Sequence, residues 1–304
     1  MIRVLVVDDS AVVRKVLTTE LVRDNDIEVI AAVDPYDARD KILRYAPDVI
    51  TLDIEMPRMD GLSFLARLMK YHPVPVVIVS SLTPANSEAA LRALELGAVD
   101  VIAKPSSPGA IPSVAGELMR AIRGAAAVNR ARLAARPHNA PAQHTGPGYA
   151  AIAPGTSSRR IIAIGASTGG PVAIEEILTA MPARAPGILI VQHMPAGFTA
   201  AFAQRLDDRC AIEVREAADG DAVTPGLALI APGGRHLVLL RGGGGLRVGV
   251  RDGPPVHYQR PAVDVLFHSV ALIAGRDAVG VQLTGMGADG ASGMAAMREA
   301  GAYT

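Results

Sequence analysis

Short apolar runs rich in β-branched residues alternate with amphipathic stretches through the first part of the chain. IRVLVV, IEVIAAV, DVITLDI, VPVVIVSS and AVDVIAK read as strands buried on both faces. Between them, stretches such as AVVRKVLTTELVRD and EAALRALELG carry apolar residues at i, i+3 and i+4 and read as helices. Five such βα units predict a parallel sheet covered on both sides by helices. The pattern lapses over residues 124–158, which are rich in Ala, Pro and Gly and contain three Arg and no acid. Such a stretch cannot pack a core and reads as a linker. A second βα pattern starts at Arg159. RIIAIGAS is a strand entering a glycine turn, PVAIEEILTAM a helix opened by Pro171, and GILIVQHM the next strand. GLALIAPG, HLVLL and LRVGVRD read as shorter strands. VDVLFHSVALIAG then reads as a helix, AVGVQLTG as a strand and ASGMAAMREAG as a helix. The expected domains are therefore 1–123 and 159–304, both α/β, joined by the linker 124–158.

Bulk properties agree with two soluble domains. A chain of 304 residues suggests roughly two units of ~150. Half the residues are hydrophobic, with no Trp, so the cores must be aliphatic. The 30 basic and 30 acidic residues cancel, which points to neither nucleic acid nor a membrane surface as partner. Cys210 is the single cysteine, which excludes an internal disulfide and a cysteine-based metal site. The start MIRVLVVDD lacks a signal-peptide cleavage region, and no apolar run approaches ~18 residues, so no membrane insertion and a cytoplasmic location are expected.

Charge becomes informative when it is placed on the elements. Asp8 and Asp9 end the first strand, Asp53 the third, Ser80 the fourth, and Lys104 follows the fifth. In a doubly wound sheet of order 2-1-3-4-5, strands 1 and 3 flank the switch point, so the three carboxylates converge in one crevice. Like charges that close require a cation, and an oxygen-rich, partly hydrated site suits Mg²⁺. VVDDS, LDIEMPRMDG, VSS and AKPSS together resemble a response-regulator receiver domain over roughly residues 1–123. The resemblance implies a flavodoxin-like fold with Asp53 as phosphoacceptor, and Asp8, Asp9, Asp53 and the backbone carbonyl of Glu55 around Mg²⁺. It also implies Ser80 as the switch hydroxyl, Lys104 as the phosphate-facing lysine, and a histidine kinase as phosphodonor. Val101 stands where many receivers carry an aromatic switch residue, so no aromatic-rotamer relay is expected.

The second domain needs a different chemistry. It holds 13 Arg, no Lys and 13 acids, with no basic cluster to read DNA. Gly165-Ala-Ser167-Thr-Gly169 fits G-x-S-x-G at a strand-to-helix junction, which exposes a serine hydroxyl beside helix N-terminal amides; a glycine turn capped by Ser accounts for the same residues. Without Lys, the base must be a histidine. His193 ends the strand after the serine unit and reaches the same sheet edge. His236 and His257 fall in expected loops and His268 on an apolar helix, where core or surface roles suffice. Asp289 follows the strand AVGVQLT and reaches that edge if the strand belongs to the same sheet. LTGMGADG also spells the dinucleotide fingerprint G-x-G-x-x-G, but the ribose-binding acid expected ~20 residues later lies beyond Thr304.

IGASTGGP, VQHMP, APGGRHL, QRPAVDVLFHSVA and LTGMGADGA together resemble the catalytic domain of the chemotaxis protein-glutamate methylesterase (CheB) family over nearly all of residues 159–304. The resemblance implies a doubly wound, mostly parallel α/β esterase with no cofactor. It implies Ser167 as nucleophile, His193 as base then acid, Asp289 as orienting carboxylate and the Met286 amide in the oxyanion hole. Arg260 and its segment are expected to shape the cleft or the interdomain face. The implied substrate is a glutamate γ-methyl ester, or a glutamine carboxamide, on cytoplasmic chemoreceptor helices. Phosphorylation of Asp53 is expected to relieve inhibition by the receiver. Family chains continue some tens of residues further, so a last strand and helix are expected beyond Thr304. The rival reading is a non-catalytic, phosphorylation-dependent adaptor, which predicts no serine reactivity.

Overall fold

A computed structural model describes residues 1–57, 59–81, 83–104, 111–128 and 160–304. Most of the expected linker, and the AKPSS segment after Lys104, lie outside the described residues. The chain forms two compact units.

The first unit is built on a five-stranded sheet of order β2-β1-β3-β4-β5. Its strands are β1 (Ile2–Val7), β2 (Ile27–Ala32), β3 (Val49–Leu52), β4 (Val76–Ser80) and β5 (Asp100–Ala103), all paired in parallel. This is the order expected of a receiver. Val4 to Val7, all of β3 and all of β4 are buried, as strands covered on both faces require. Helices α1 (Ala11–Leu21), α2 (Pro35–Tyr45), α3 (Gly61–Tyr71), α4 (Pro84–Glu95) and α5 (Ile111–Ala126) supply that cover. Each of the first four begins where a polar side chain satisfies a free amide: Ser10, Asp34, Asp60 and Thr83 accept from the first turn. Helix α5 runs three residues past the expected boundary at 123.

The second unit is built on a five-stranded parallel sheet of order β12-β6-β7-β9-β8. Strands β6 (Ile161–Ala166), β7 (Gly187–Gln192), β8 (Glu213–Glu216), β9 (Leu227–Ile230) and β12 (Ala278–Gln282) compose it. Strands β10 (His236–Gly242) and β11 (Gly245–Arg251) form a separate antiparallel hairpin. The helices are α6 (Gly170–Thr179), α7 (Phe198–Asp207), α8 (Val263–Ile273) and α9 (Ala291–Glu299). One core joins the sheet, the hairpin and α8, through residues such as Leu189, Leu229, Leu237, Val248 and Phe267. Tyr303 adds a parallel bridge to Val279 on the outer side of β12.

Two readings need correction. Strand β8 is absent from the sequence-based elements, because EVRE holds one buried apolar residue, Val214, and shows no apolar run. His236 opens β10, the strand read from HLVLL, so placing it in a loop is the part that needs correction. It is 4% exposed; Nε2 stands 3.0 Å from the Pro254 carbonyl, and Nδ1 accepts from the Ala262 amide. Both ring nitrogens are thereby used in holding the fold.

Candidate functional site

The first unit gathers charge at the carboxyl ends of β1 and β3. Oxygens of Asp8, Asp9 and Asp53 all lie within 4.8 Å of one another. Asp8 and Asp53 are 1% and 2% exposed, and Asp9 faces solvent. The Lys104 ammonium reaches in from the end of β5, 2.7 Å from Asp53 Oδ2 and 2.9 Å from Asp8 Oδ2. The Lys104 amide donates to the Ser80 carbonyl at 2.8 Å, which fixes the two strand ends together. Burial pushes the Asp53 carboxyl above its ordinary value; the Lys104 ammonium opposes that shift and the Asp8 charge adds to it. Burial works against the Lys104 charge, but Asp53 and Asp8 outweigh it and raise the lysine's pKa. One ammonium thus faces two buried carboxylates and a third at the rim, which leaves room for a further cation. The Ser80 hydroxyl is fully buried and has no hydrogen-bond partner among the described residues. The Glu55 amide donates to Asp53 Oδ1 at 3.3 Å. Gly61 is required by packing: a Cβ there would stand 2.3 Å from the Asp53 carbonyl oxygen.

The second unit brings together three residues from three adjacent strand ends. Strand β6 has β12 on one side and β7 on the other. The chain leaves β6 towards β7 and later returns to the opposite side as β12, which makes β6 a switch point. Ser167 follows β6, His193 follows β7 and Asp289 lies in the loop after β12. His193 Nδ1 stands 3.0 Å from Ser167 Oγ, and His193 Nε2 stands 2.7 Å from Asp289 Oδ2. The His193 and Asp289 side chains are 9% and 5% exposed.

The carboxylate settles the tautomer. Ionised Asp289 only accepts, so Nε2 carries the proton and Nδ1 is left to accept from the serine hydroxyl. Asp289 also receives the amides of Val263 at 2.7 Å and Asp264 at 2.9 Å, at the start of α8. Burial alone would raise its pKa. The hydrogen bonds from His193, Asp264 and Val263 outweigh burial and hold the carboxyl below the usual range. Asp264, 4% exposed, supports this arrangement without having been legible from the sequence: its Oδ1 accepts from the Gly293 amide at 2.7 Å.

The glycines of LTGMGADG serve the loop. Gly287 and Gly290 have φ of 106° and 96°, in the left-handed region. A Cβ on Gly290 would stand 2.2 Å from Gln282 Oε1. Met286 lies on this loop, 39% exposed. Two further described histidines have other partners: His257 Nε2 is 3.1 Å from Asp264 Oδ2, and His268 Nε2 is 3.1 Å from Ser292 Oγ. Arg260 donates to the Gly253 carbonyl.

Comparison with known proteins gives both units a family. Residues 4–115 match the response regulator receiver domain and residues 162–304 match CheB methylesterase. The chain is 54% identical over 304 residues to protein-glutamate methylesterase/protein-glutamine glutaminase 2 of Syntrophus aciditrophicus, covering 100% of this chain and 88% of that protein. It is 53% identical over 306 residues to protein-glutamate methylesterase/protein-glutamine glutaminase 4 of Anaeromyxobacter dehalogenans, covering 100% and 84%. The crystal structure of the Thermotoga maritima CheB methylesterase catalytic domain is 40% identical, covering 47% of this chain and 76% of that one, with a TM-score of 0.46. With a receiver sheet of order 2-1-3-4-5 followed by a parallel α/β unit, and full-length identity above half, the chain belongs to the CheB family of chemotaxis methylesterases.

Proposed function

We propose that this chain is a phosphorylation-regulated protein-glutamate methylesterase and protein-glutamine deamidase. The observation that carries the reading is the Ser167–His193–Asp289 chain of contacts at 3.0 and 2.7 Å. Ser167 Oγ attacks the γ-ester carbonyl while its proton passes to His193 Nδ1. Asp289 stays ionised and stabilises the imidazolium through Nε2–H. By resemblance to the family, helix-terminal amides and the Met286 amide would supply the oxyanion hole. When the tetrahedral intermediate collapses, the C–OCH3 bond breaks, His193 gives its proton to the departing methoxide to release methanol, and the acyl group stays on Ser167. Water then attacks the acyl group as its proton goes to His193, and the acyl C–Oγ bond breaks as His193 returns that proton to Ser167, releasing glutamate. A glutamine carboxamide follows the same course with ammonia leaving. The names of the similar proteins, methylesterase and glutaminase, support both substrates.

The domain limits proposed are 1–123, 124–158 and 159–304. Asp53 takes a phosphoryl group from a histidine kinase of the chemotaxis system. Asp8, Asp9, Asp53 and the Glu55 carbonyl would hold Mg²⁺, which supplies charge neutralisation at the phosphoryl oxygens. Lys104 pairs with a phosphoryl oxygen and Ser80 donates its unpartnered hydroxyl to another, biasing the receiver towards its active state. That state relieves inhibition of the esterase. The substrate is carried on cytoplasmic domains of chemoreceptors, so the protein acts in the cytoplasm. Among the described residues no helix is long and apolar enough to cross a membrane.

The direct test is methyl-ester release from methylated receptor. Ser167→Ala should reduce it by at least about 10³-fold while phosphorylation of Asp53 persists. Retained hydrolysis would remove Ser167 from the mechanism.

A further inference from the structure

Gln192 is the last residue of β7 and is 0% exposed, at the end of the otherwise apolar run GILIV. A buried carboxamide is unfavourable unless its polar atoms find partners. Its Nε2 finds two: the carbonyl oxygens of Ser167 and of His193, each at 3.0 Å. Both amide hydrogens are used, and two carbonyl acceptors define which end is nitrogen. Oε1 is buried with no partner among the described residues. It lies against Gly170, where a Cβ would stand 1.9 Å away. A hydrocarbon side chain would fill this volume without stranding an oxygen. What the carboxamide adds is a tie between the nucleophile turn and the base turn.

Other groups also tie these turns: the Thr284 hydroxyl donates to the Thr168 carbonyl at 3.1 Å, and the Gly170 amide donates to the Ser167 carbonyl at 2.7 Å. The His193 amide donates to the Ala166 carbonyl at 3.1 Å, and the Ser167 amide donates to the Thr284 carbonyl at 2.9 Å. None of these four holds the carbonyl side of Ser167 to that of His193. We propose that Gln192 is a positioning residue for ester hydrolysis, setting the spacing between Ser167 and His193 through their backbones. This rests on the reading of those two residues as nucleophile and base.

The test uses the 304-residue chain and two variants. Gln192→Met keeps the volume and removes both donors. It should lower kcat about 10- to 100-fold at unchanged KM, and slow fluorophosphonate labelling of Ser167 by the same factor. Gln192→Glu can donate one hydrogen bond when protonated and none when ionised. Its deficit should therefore widen as pH rises through the carboxyl's titration, relative to the native chain at each pH. A packing role alone would not separate kcat from KM in Gln192→Met. Rates and labelling within twofold of the native chain, in a variant with a native-like melting transition, would overturn the proposal. Where neither variant folds, the native chain decides: phosphonylation of Ser167 should shift the ¹⁵N-labelled Gln192 side-chain amide resonance, and an unmoved resonance would overturn the proposal. Ser167→Ala separates the layers. Hydrolysis that survives it sinks the triad reading. Hydrolysis lost there but intact in the Gln192 variants sinks only the positioning role.

Discussion

Asp289 shows how one carboxylate is asked to do two jobs. It orients the imidazole and it accepts the first amides of α8. Asp289→Asn keeps the shape but offers the ring an amide, which favours the tautomer with the proton on Nδ1. That form cannot take the serine proton, so kcat should fall about 10²- to 10⁴-fold with KM nearly unchanged. A fall in KM alone would contradict the assignment. Because the folded pKa is depressed, the stability that Asp289 contributes is present above its ordinary value and is lost as pH falls through the lower folded value. Glu117 has the opposite sign. Burial, with the Asp100 charge beside it, pushes its carboxyl up to about 7. The folded state then keeps a proton that the unfolded chain has released, so stability falls as pH rises from about 4.5 to 7. Glu117→Gln should stabilise the receiver by about 1–3 kcal/mol at pH 8 and by little at pH 4. Denaturant melts at the two pH values check it, and an equal gain at both would refute the titration account.

At the scale of elements, the site depends on α8 and α9 fitting closely. Gly293 lies in the contact: a Cβ there would stand 2.5 Å from Phe267 Cβ and 3.1 Å from the Asp264 carbonyl oxygen. Gly293→Ala should force the helices apart at a cost of about 1–3 kcal/mol, lowering the melting temperature by several degrees. Activity should fall with it, since the start of α8 holds Asp289. An unchanged melt and rate would show that the helices give way freely. All strands of the two parallel sheets except β8 were legible in the sequence, because strands buried on both faces are written as continuous apolar, β-branched runs. Ser167, His193 and Asp289 were legible because each follows such a run. The placement of β12 beside β6 was not, since neighbouring in a sheet is a long-range fact that no local period records. Strand β8 was hidden by its polar edge position, and His236 by the short turn before β10. Gln192 and Asp264 were invisible for another reason: their work is done on backbone groups, which leave no motif. The one available signal was a glutamine closing an apolar strand.

The molecule as a whole joins a receiver domain to a CheB methylesterase domain. If Asp53 governs the esterase, a small-molecule phosphodonor with Mg²⁺ should raise ester hydrolysis in the native chain and leave Asp53→Asn at its basal rate. Equal stimulation of both would detach regulation from Asp53. Lys104→Ala should still accept the phosphoryl group yet respond weakly, because the cation that pairs with Asp53 and Asp8 is gone. The claim on which all of this rests is that Ser167 is an activated nucleophile and not a turn-forming serine. Incubation of the full chain with a fluorophosphonate, followed by peptide mass mapping, measures that property directly. The predicted result is a single adduct on Ser167, lost in His193→Ala and in Ser167→Ala. An unmodified Ser167 in protein that hydrolyses the receptor ester would contradict the account.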